Sequence, residues 1–77
     1  MTQAPTDNSS LAEQARSNAA LQAPGSLPRR AWGCVAVALS TTRTLTGARR
    51  ALADIRLADV RQAAAEALDQ LIKENWQ

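Results

Sequence analysis

The stretch that decides the fold is DVRQAAAEALDQLIKENW, residues 59–76. Within it and just before it, apolar residues recur at spacings of three and four, while charged and amide side chains take the opposite side. This is the pattern of an amphipathic α-helix. The apolar stripe consists of Leu57, Val60, Ala64, Ala67, Leu68, Leu71 and Ile72. The sequence therefore predicts a long C-terminal helix that needs a surface to pack against.

Length and composition limit how well this chain can build a core by itself. It has 77 residues, room for one domain, with two Trp, no Phe, Tyr or His, and much Ala. Small domains bury a smaller share of their surface than large ones do. The single cysteine, Cys34, has no partner for an internal disulfide, and without His a structural zinc site is not expected. We therefore expect a second copy or a partner protein to complete the core.

The charges are unevenly distributed along the chain. Residues 29–61 contain seven Arg and two Asp, whereas the segments on both sides are mildly acidic. A basic middle attracts nucleic-acid phosphates or an acidic protein surface. It could equally meet the acidic end of a second copy.

One segment superficially resembles an export signal. Two arginines at positions 29 and 30 precede the apolar run AWGCVAVAL. This run is about half as long as the roughly 20 apolar residues of a membrane-spanning helix, and a long polar segment precedes it. We expect a cytoplasmic protein with no membrane contact.

The N-terminal part begins with a polar segment. Residues 1–9 lack apolar periodicity and are expected to form a disordered tail, with residues 10–77 as one small helical domain. Ser10 is followed three positions later by Glu13, the spacing of a capping box. A short, weakly apolar helix over residues 11–22 is predicted.

The clearest break in the chain is APGSLP, residues 23–28. Pro28 is suited to the first turn of a following helix, with Ser26 or Leu27 near its cap. Residues 31–39 are apolar nearly all the way round, which predicts a helix buried on more than one side. A strand is the alternative, because Val and Leu alternate here, but no second strand-like segment exists to pair with it.

The Thr-rich residues 40–46 predict a turn, because hydroxyl side chains compete for backbone hydrogen bonds. Thr44 or Thr46 can then cap the next helix. Its apolar spacing slips at Arg56, but no Gly or Pro enforces a break there. The sequence favours one long helix over residues 47–75 with an irregular point near Arg56.

No motif in the chain names a reaction. The usual general base is missing without His, and Cys34 has no His in the sequence to activate it. The glycines do not form a phosphate-binding loop. An enzyme is not expected, nor is a cofactor or a metal.

The favoured hypothesis is an all-α protein: a small helical hairpin or three-helix arrangement with a long C-terminal amphipathic helix and a disordered N-terminal tail. The apolar stripe is too long and too Ala-rich for the preceding segments to cover. We therefore expect a protein-interaction module, of adaptor, inhibitor or regulator type, that buries this helix against a partner or a second copy. The predicted partner-binding residues are Leu57, Val60, Ala64, Leu68, Leu71, Ile72, Trp76 and Trp32.

The alternative hypothesis is a nucleic-acid-binding regulator of helix-turn-helix type. Four arginines could contact phosphates: Arg49, Arg50, Arg56 and Arg61. Against it, the helix after Asp59 presents mostly Ala and acidic residues where a recognition helix carries polar side chains. A continuous helix through Arg56 would favour the protein-interaction hypothesis, and a turn there would strengthen the nucleic-acid hypothesis.

Overall fold

The computed structural model describes residues 8–75. Within this range the chain contains no strand and four α-helices: α1 (Asn8–Ala20), α2 (Leu27–Ser40), α3 (Leu45–Ala53) and α4 (Ala58–Asn75). The all-α prediction is confirmed, and so is the choice of helix over strand for residues 31–39. A hairpin or three-helix arrangement is expected from the sequence, and residues 8–75 form four helices because two of them stand in place of the one long helix over residues 47–75.

The turn between α1 and α2 follows the predicted chemistry. Gly25 has a φ of 78°, a left-handed conformation that glycine adopts without strain. The Ser26 hydroxyl accepts a hydrogen bond from the Arg29 N–H at 3.3 Å, and Pro28 lies in the first turn of α2. The break at residues 23–28 and the cap at Ser26 were thus readable from local sequence alone.

Helix α1 starts earlier than the capping box predicted. It begins at Asn8, so Ser10 lies inside the helix and residues 8 and 9 of the expected tail are helical. The side-chain amide nitrogen (Nδ2) of Asn8 lies 3.1 Å from the Thr42 carbonyl oxygen, 3.2 Å from the Thr42 hydroxyl and 3.2 Å from the Thr44 carbonyl oxygen. These donations fix the start of α1 to the turn between α2 and α3. Residues 1–7 lie outside the described range.

Helix α2 is the centre of the fold. It packs against α1, α3 and α4, and six of its side chains are buried. The largest fully buried side chains of the core come from α1, α2 and α4, and each stabilises the fold by about 2 kcal/mol: Leu11, Val35, Leu39, Leu68 and Leu71. Small Ala side chains between them let the helices approach closely.

The predicted continuous helix over residues 47–75 is wrong, because the chain turns between α3 and α4. Thr44 caps α3 by accepting a hydrogen bond from the Gly47 N–H at 3.0 Å. At the turn, the Arg61 guanidinium donates to the Ile55 carbonyl oxygen at 2.9 Å. The slip of the apolar stripe near Arg56 marked the right place. The turn lets both helices place apolar side chains in the core, with Ala48 and Leu52 buried from α3 and Leu68 and Leu71 buried from α4.

Helix α4 lies with its apolar stripe on the rest of the chain. Its far end is joined to α1 by a reciprocal amide pair: Gln14 donates to the Asn75 carboxamide oxygen at 3.2 Å, and Asn75 donates back at 3.0 Å. The expectation that the preceding segments cannot cover the stripe is wrong for the part of it that lies on α4, whose buried residues face mainly α2. Leu57, just before α4, stays exposed.

Candidate partner-binding groove

Most of the predicted partner-binding residues lie inside the protein's own core. Ala64, Leu68 and Leu71 are fully buried, and Val60 and Trp32 are at most 8% exposed. Ile72 packs against the same core. Leu57 alone of the described members is well exposed, at 56%. Trp76 lies outside the described residues.

An open groove of about 750 Å³ lies between α2, the end of α3 and the turn into α4. Its walls are mainly apolar, and two exposed hydrophobic side chains, Val37 and Leu57, stand at its surface. We call this surface the apolar groove. It is lined by Arg30, Gly33, Cys34, Val37, Ala38, Thr41, Ala51, Ile55, Arg56, Leu57 and Val60.

The sequence produces this groove because α2 is apolar on more sides than its neighbours cover. Val37 is 63% exposed although it lies between the buried residues Ala36 and Ala38 of α2. Helix α3 has only nine residues, and the chain then turns away at residues 54–57. The outer side of α2 is therefore left open beside Ile55 and Leu57.

Gly33 stands in the interior of α2, where it also lines the groove. A Cβ placed on it meets no atom within 4 Å, so packing inside the protein does not require a glycine here. Glycine in a helix interior is about 0.5–1 kcal/mol less favourable than Ala. The chain thus carries a local destabilisation that leaves the groove deeper.

Two arginines give the groove a positive rim. Arg30 and Arg56 are exposed, and within residues 8–75 neither guanidinium forms an ion pair or a hydrogen bond. Among the described residues, no acidic side chain lines the groove. The guanidinium groups are thus available to a negatively charged ligand.

The four arginines predicted to contact nucleic acid do not form one free surface. The Arg49 guanidinium lies 2.7 Å from the Asp69 carboxylate of α4, and Arg61 donates to the turn at Ile55. Arg50 and Arg56 are exposed, without a polar partner in the described part of the chain. Two of the four guanidinium groups therefore have interaction partners within the protein.

The described residues also bear on other chemistry. Among them, no group of three or more His, Cys, Asp or Glu side chains is placed to hold a metal ion. Cys34 is partly exposed in the groove wall. Across residues 8–75, none of the helices combines the length and the apolar character that crossing a membrane requires.

Sequence reasoning missed several residues of this surface, namely Arg30, Gly33, Val37 and Ile55. A signal was present, because α2 is apolar nearly all round and contains a glycine that no turn requires. Such a pattern predicts burial on several sides, and the structure leaves one of those sides exposed.

Comparisons with protein-family models, with curated proteins and with solved structures find no match for this chain.

Proposed function

We propose that this chain is a non-enzymatic protein-interaction module that acts in the cytoplasm and binds a partner protein in the apolar groove. The observation that carries the proposal is the exposure of Val37 and Leu57 side by side with a concave apolar surface. Concave apolar surfaces with a few polar groups at the edge are typical binding sites. Leu57 and Val60 are the members of the predicted interface that line it.

Burial of the exposed apolar side chains of the groove against a partner is expected to stabilise the complex. Withdrawing an exposed Val or Leu side chain from water contributes up to about 2 kcal/mol. Val37 and Leu57 are more than half exposed, so most of that free energy is still available to a partner. Ala64, Leu68 and Leu71 offer no such gain, because they are already fully buried.

Affinity purification from the native host, followed by mass spectrometry, tests the proposal. Val37→Glu places a charge in the groove at an exposed site, so the fold should persist while groove-bound proteins are lost. Ala65→Glu is the matched control, because Ala65 is exposed on α4 and does not line the groove. Circular dichroism should show the same helix content for both variants. A set of bound proteins that Val37→Glu leaves unchanged would contradict the proposal.

The nucleic-acid hypothesis remains a second candidate, because the chain turns between α3 and α4 next to exposed Arg50 and Arg56. Phosphate binding by these groups would weaken steeply as the salt concentration rises. Arg50→Glu should then lower the affinity for duplex DNA and flatten the salt dependence, whereas Arg16→Glu, on the exposed side of α1, should have a smaller effect. If Arg50→Glu left duplex binding unchanged, the surface around Arg50 and Arg56 would be excluded as the DNA-binding site.

A further inference from the structure

We propose that the occupant of the apolar groove is an amphipathic helix of about three turns, whose apolar stripe is flanked by Asp or Glu. This inference rests on the proposed function and specifies the chemistry of the partner. It follows from three properties of the groove: its length, its glycine floor and the charge on its rim.

The length of the groove follows from α2. Its lining runs from Arg30 along α2 to Thr41, the residue that caps the end of the helix. At a rise of 1.5 Å per residue, those eleven steps span about 16 Å, or three helical turns. A helix of that length presents apolar anchors at positions i, i+3 or i+4, and i+7, the usual pattern of a helix bound in a groove.

The floor of the groove favours close approach of another helix. Gly33 has no side chain and open space above it, and the neighbouring Cys34 and Ala38 are small. Small residues let helix backbones come together, while Val37, Ile55 and Leu57 supply apolar contact on both sides. A large apolar anchor of the partner therefore fits above Gly33.

The rim selects the charge of the partner. Within residues 8–75, no acidic side chain lines the groove beside Arg30 and Arg56, and neither guanidinium is paired. Carboxylates beside the apolar stripe of a partner would therefore meet two available guanidinium groups. A second copy seated by the same groove would bring like charges together, which is unfavourable.

The wall chemistry argues against a nucleic acid in the groove. The Thr41 hydroxyl already donates to the Val37 carbonyl oxygen at 2.9 Å. The remaining wall atoms between the two arginines are mostly apolar, so few groups are free to bind bases or phosphates. An acidic amphipathic helix satisfies both the apolar walls and the charged rim.

A phage-displayed library of random 16-residue peptides, selected against the full chain, tests the inference. The peptides enriched on the wild-type protein should carry apolar residues at helical spacing flanked by Asp or Glu. Selection on the double variant Arg30→Glu/Arg56→Glu should enrich Lys or Arg at those flanking positions. Two exposed ion pairs replaced by repulsion should weaken a wild-type-selected peptide about tenfold or more.

A matched control separates the rim from the overall charge. Arg16→Glu/Arg43→Glu changes the net charge by the same amount at two exposed positions that do not line the groove. This control should bind the wild-type-selected peptide within about threefold of the wild-type affinity, since distant exposed charges are largely screened. Equal weakening by both double variants would overturn the role of the rim.

The remaining outcomes distinguish the inference from the proposed function. Enriched peptides without charge bias whose binding Val37→Glu abolishes would overturn the acidic partner but leave the groove as the binding surface. Failure to enrich any peptide, with a dimer in light scattering that Val37→Glu dissociates, would assign the groove to a second copy. Peptides that bind Val37→Glu as well as wild type would overturn both proposals.

Discussion

The amide of Asn8 connects two parts of the chain that lie 34 residues apart. It donates to Thr42 at the start of the turn between α2 and α3, and it is 7% exposed. Replacement by Ala would leave the Thr42 and Thr44 carbonyl groups without this donor. We expect Asn8→Ala to lower the free energy of unfolding by about 1–2 kcal/mol, measured by urea denaturation.

Ser10→Ala is the control for Asn8, because it separates two accounts of how α1 begins. If Ser10 capped the helix, its loss would cost about 1 kcal/mol. In the structure Ser10 lies exposed inside the helix, so Ser10→Ala should change the stability by less than about 0.5 kcal/mol. A larger loss for Ser10→Ala than for Asn8→Ala would contradict the observed start of α1.

Substitution by Ala should change the stability in opposite directions at Gly33 in α2 and at Gly25 in the preceding turn. Gly33→Ala is expected to raise the stability by about 0.5–1 kcal/mol, since the helix gains propensity and the Cβ meets nothing. Gly25→Ala should lower it by about 1–2 kcal/mol, because a left-handed φ is strained for Ala. Thermal unfolding of the two variants checks both signs.

The functional consequence of Gly33→Ala distinguishes a groove residue from an inert one. The added methyl group occupies the groove floor, so partner binding should weaken while the fold becomes more stable. A variant that is more stable and binds its partner equally well would show that Gly33 has no role in binding.

At the scale of whole helices, α4 packs against α2 of the same chain, whereas the sequence predicted that a partner or a second copy covers it. Leu68 is fully buried in the core, whereas Leu57, just before α4, is 56% exposed. Leu68→Ala should therefore cost about 2–5 kcal/mol through lost burial and a cavity. Leu57→Ala should cost less than about 1 kcal/mol. Chemical denaturation of the purified variants measures both values.

This pair of Leu variants also tests the assignment of the stripe. If the stripe of α4 were the partner interface and stood open in the isolated chain, Leu68→Ala would change the stability as little as Leu57→Ala. Similar small losses for both variants would therefore contradict the packing of α4 on α2.

Local sequence predicted the elements whose signals are local. The Pro and Gly residues at 23–28 predict one turn, the Thr-rich segment predicts another, and the periodicity at 59–75 predicts the helix that includes α4. The start of α1 was misplaced because Asn8 is held by the distant Thr42. The break between α3 and α4 lacked a Gly or Pro, and packing of both helices against α2 decided it. Tertiary contacts, which single-sequence periodicity does not contain, account for both differences.

On the scale of the whole molecule, helices α1, α3 and α4 all pack against α2 and leave one of its sides open. The sequence predicted that the chain offers apolar surface to a partner, but it placed that surface on the stripe of α4. Val37 and Gly33 could not be assigned from the sequence, because α2 is apolar nearly all round and only its neighbours determine which side stays exposed. Arg30 and Arg56 became a pair only once the fold placed them around one groove.

Cys34, the chain's single cysteine, reports directly on whether the partner occupies the groove. Its alkylation rate can be measured in the isolated protein and in the complex with a partner recovered from the host. A control protein carries Cys34→Ala together with Ala65→Cys, which moves the thiol to an exposed site outside the groove. We expect the partner to slow modification of Cys34 about tenfold or more, since a covered thiol is inaccessible to the reagent, and to leave the thiol at position 65 unaffected. A bound partner that leaves the reactivity of Cys34 unchanged would contradict the assignment of the apolar groove as the binding surface.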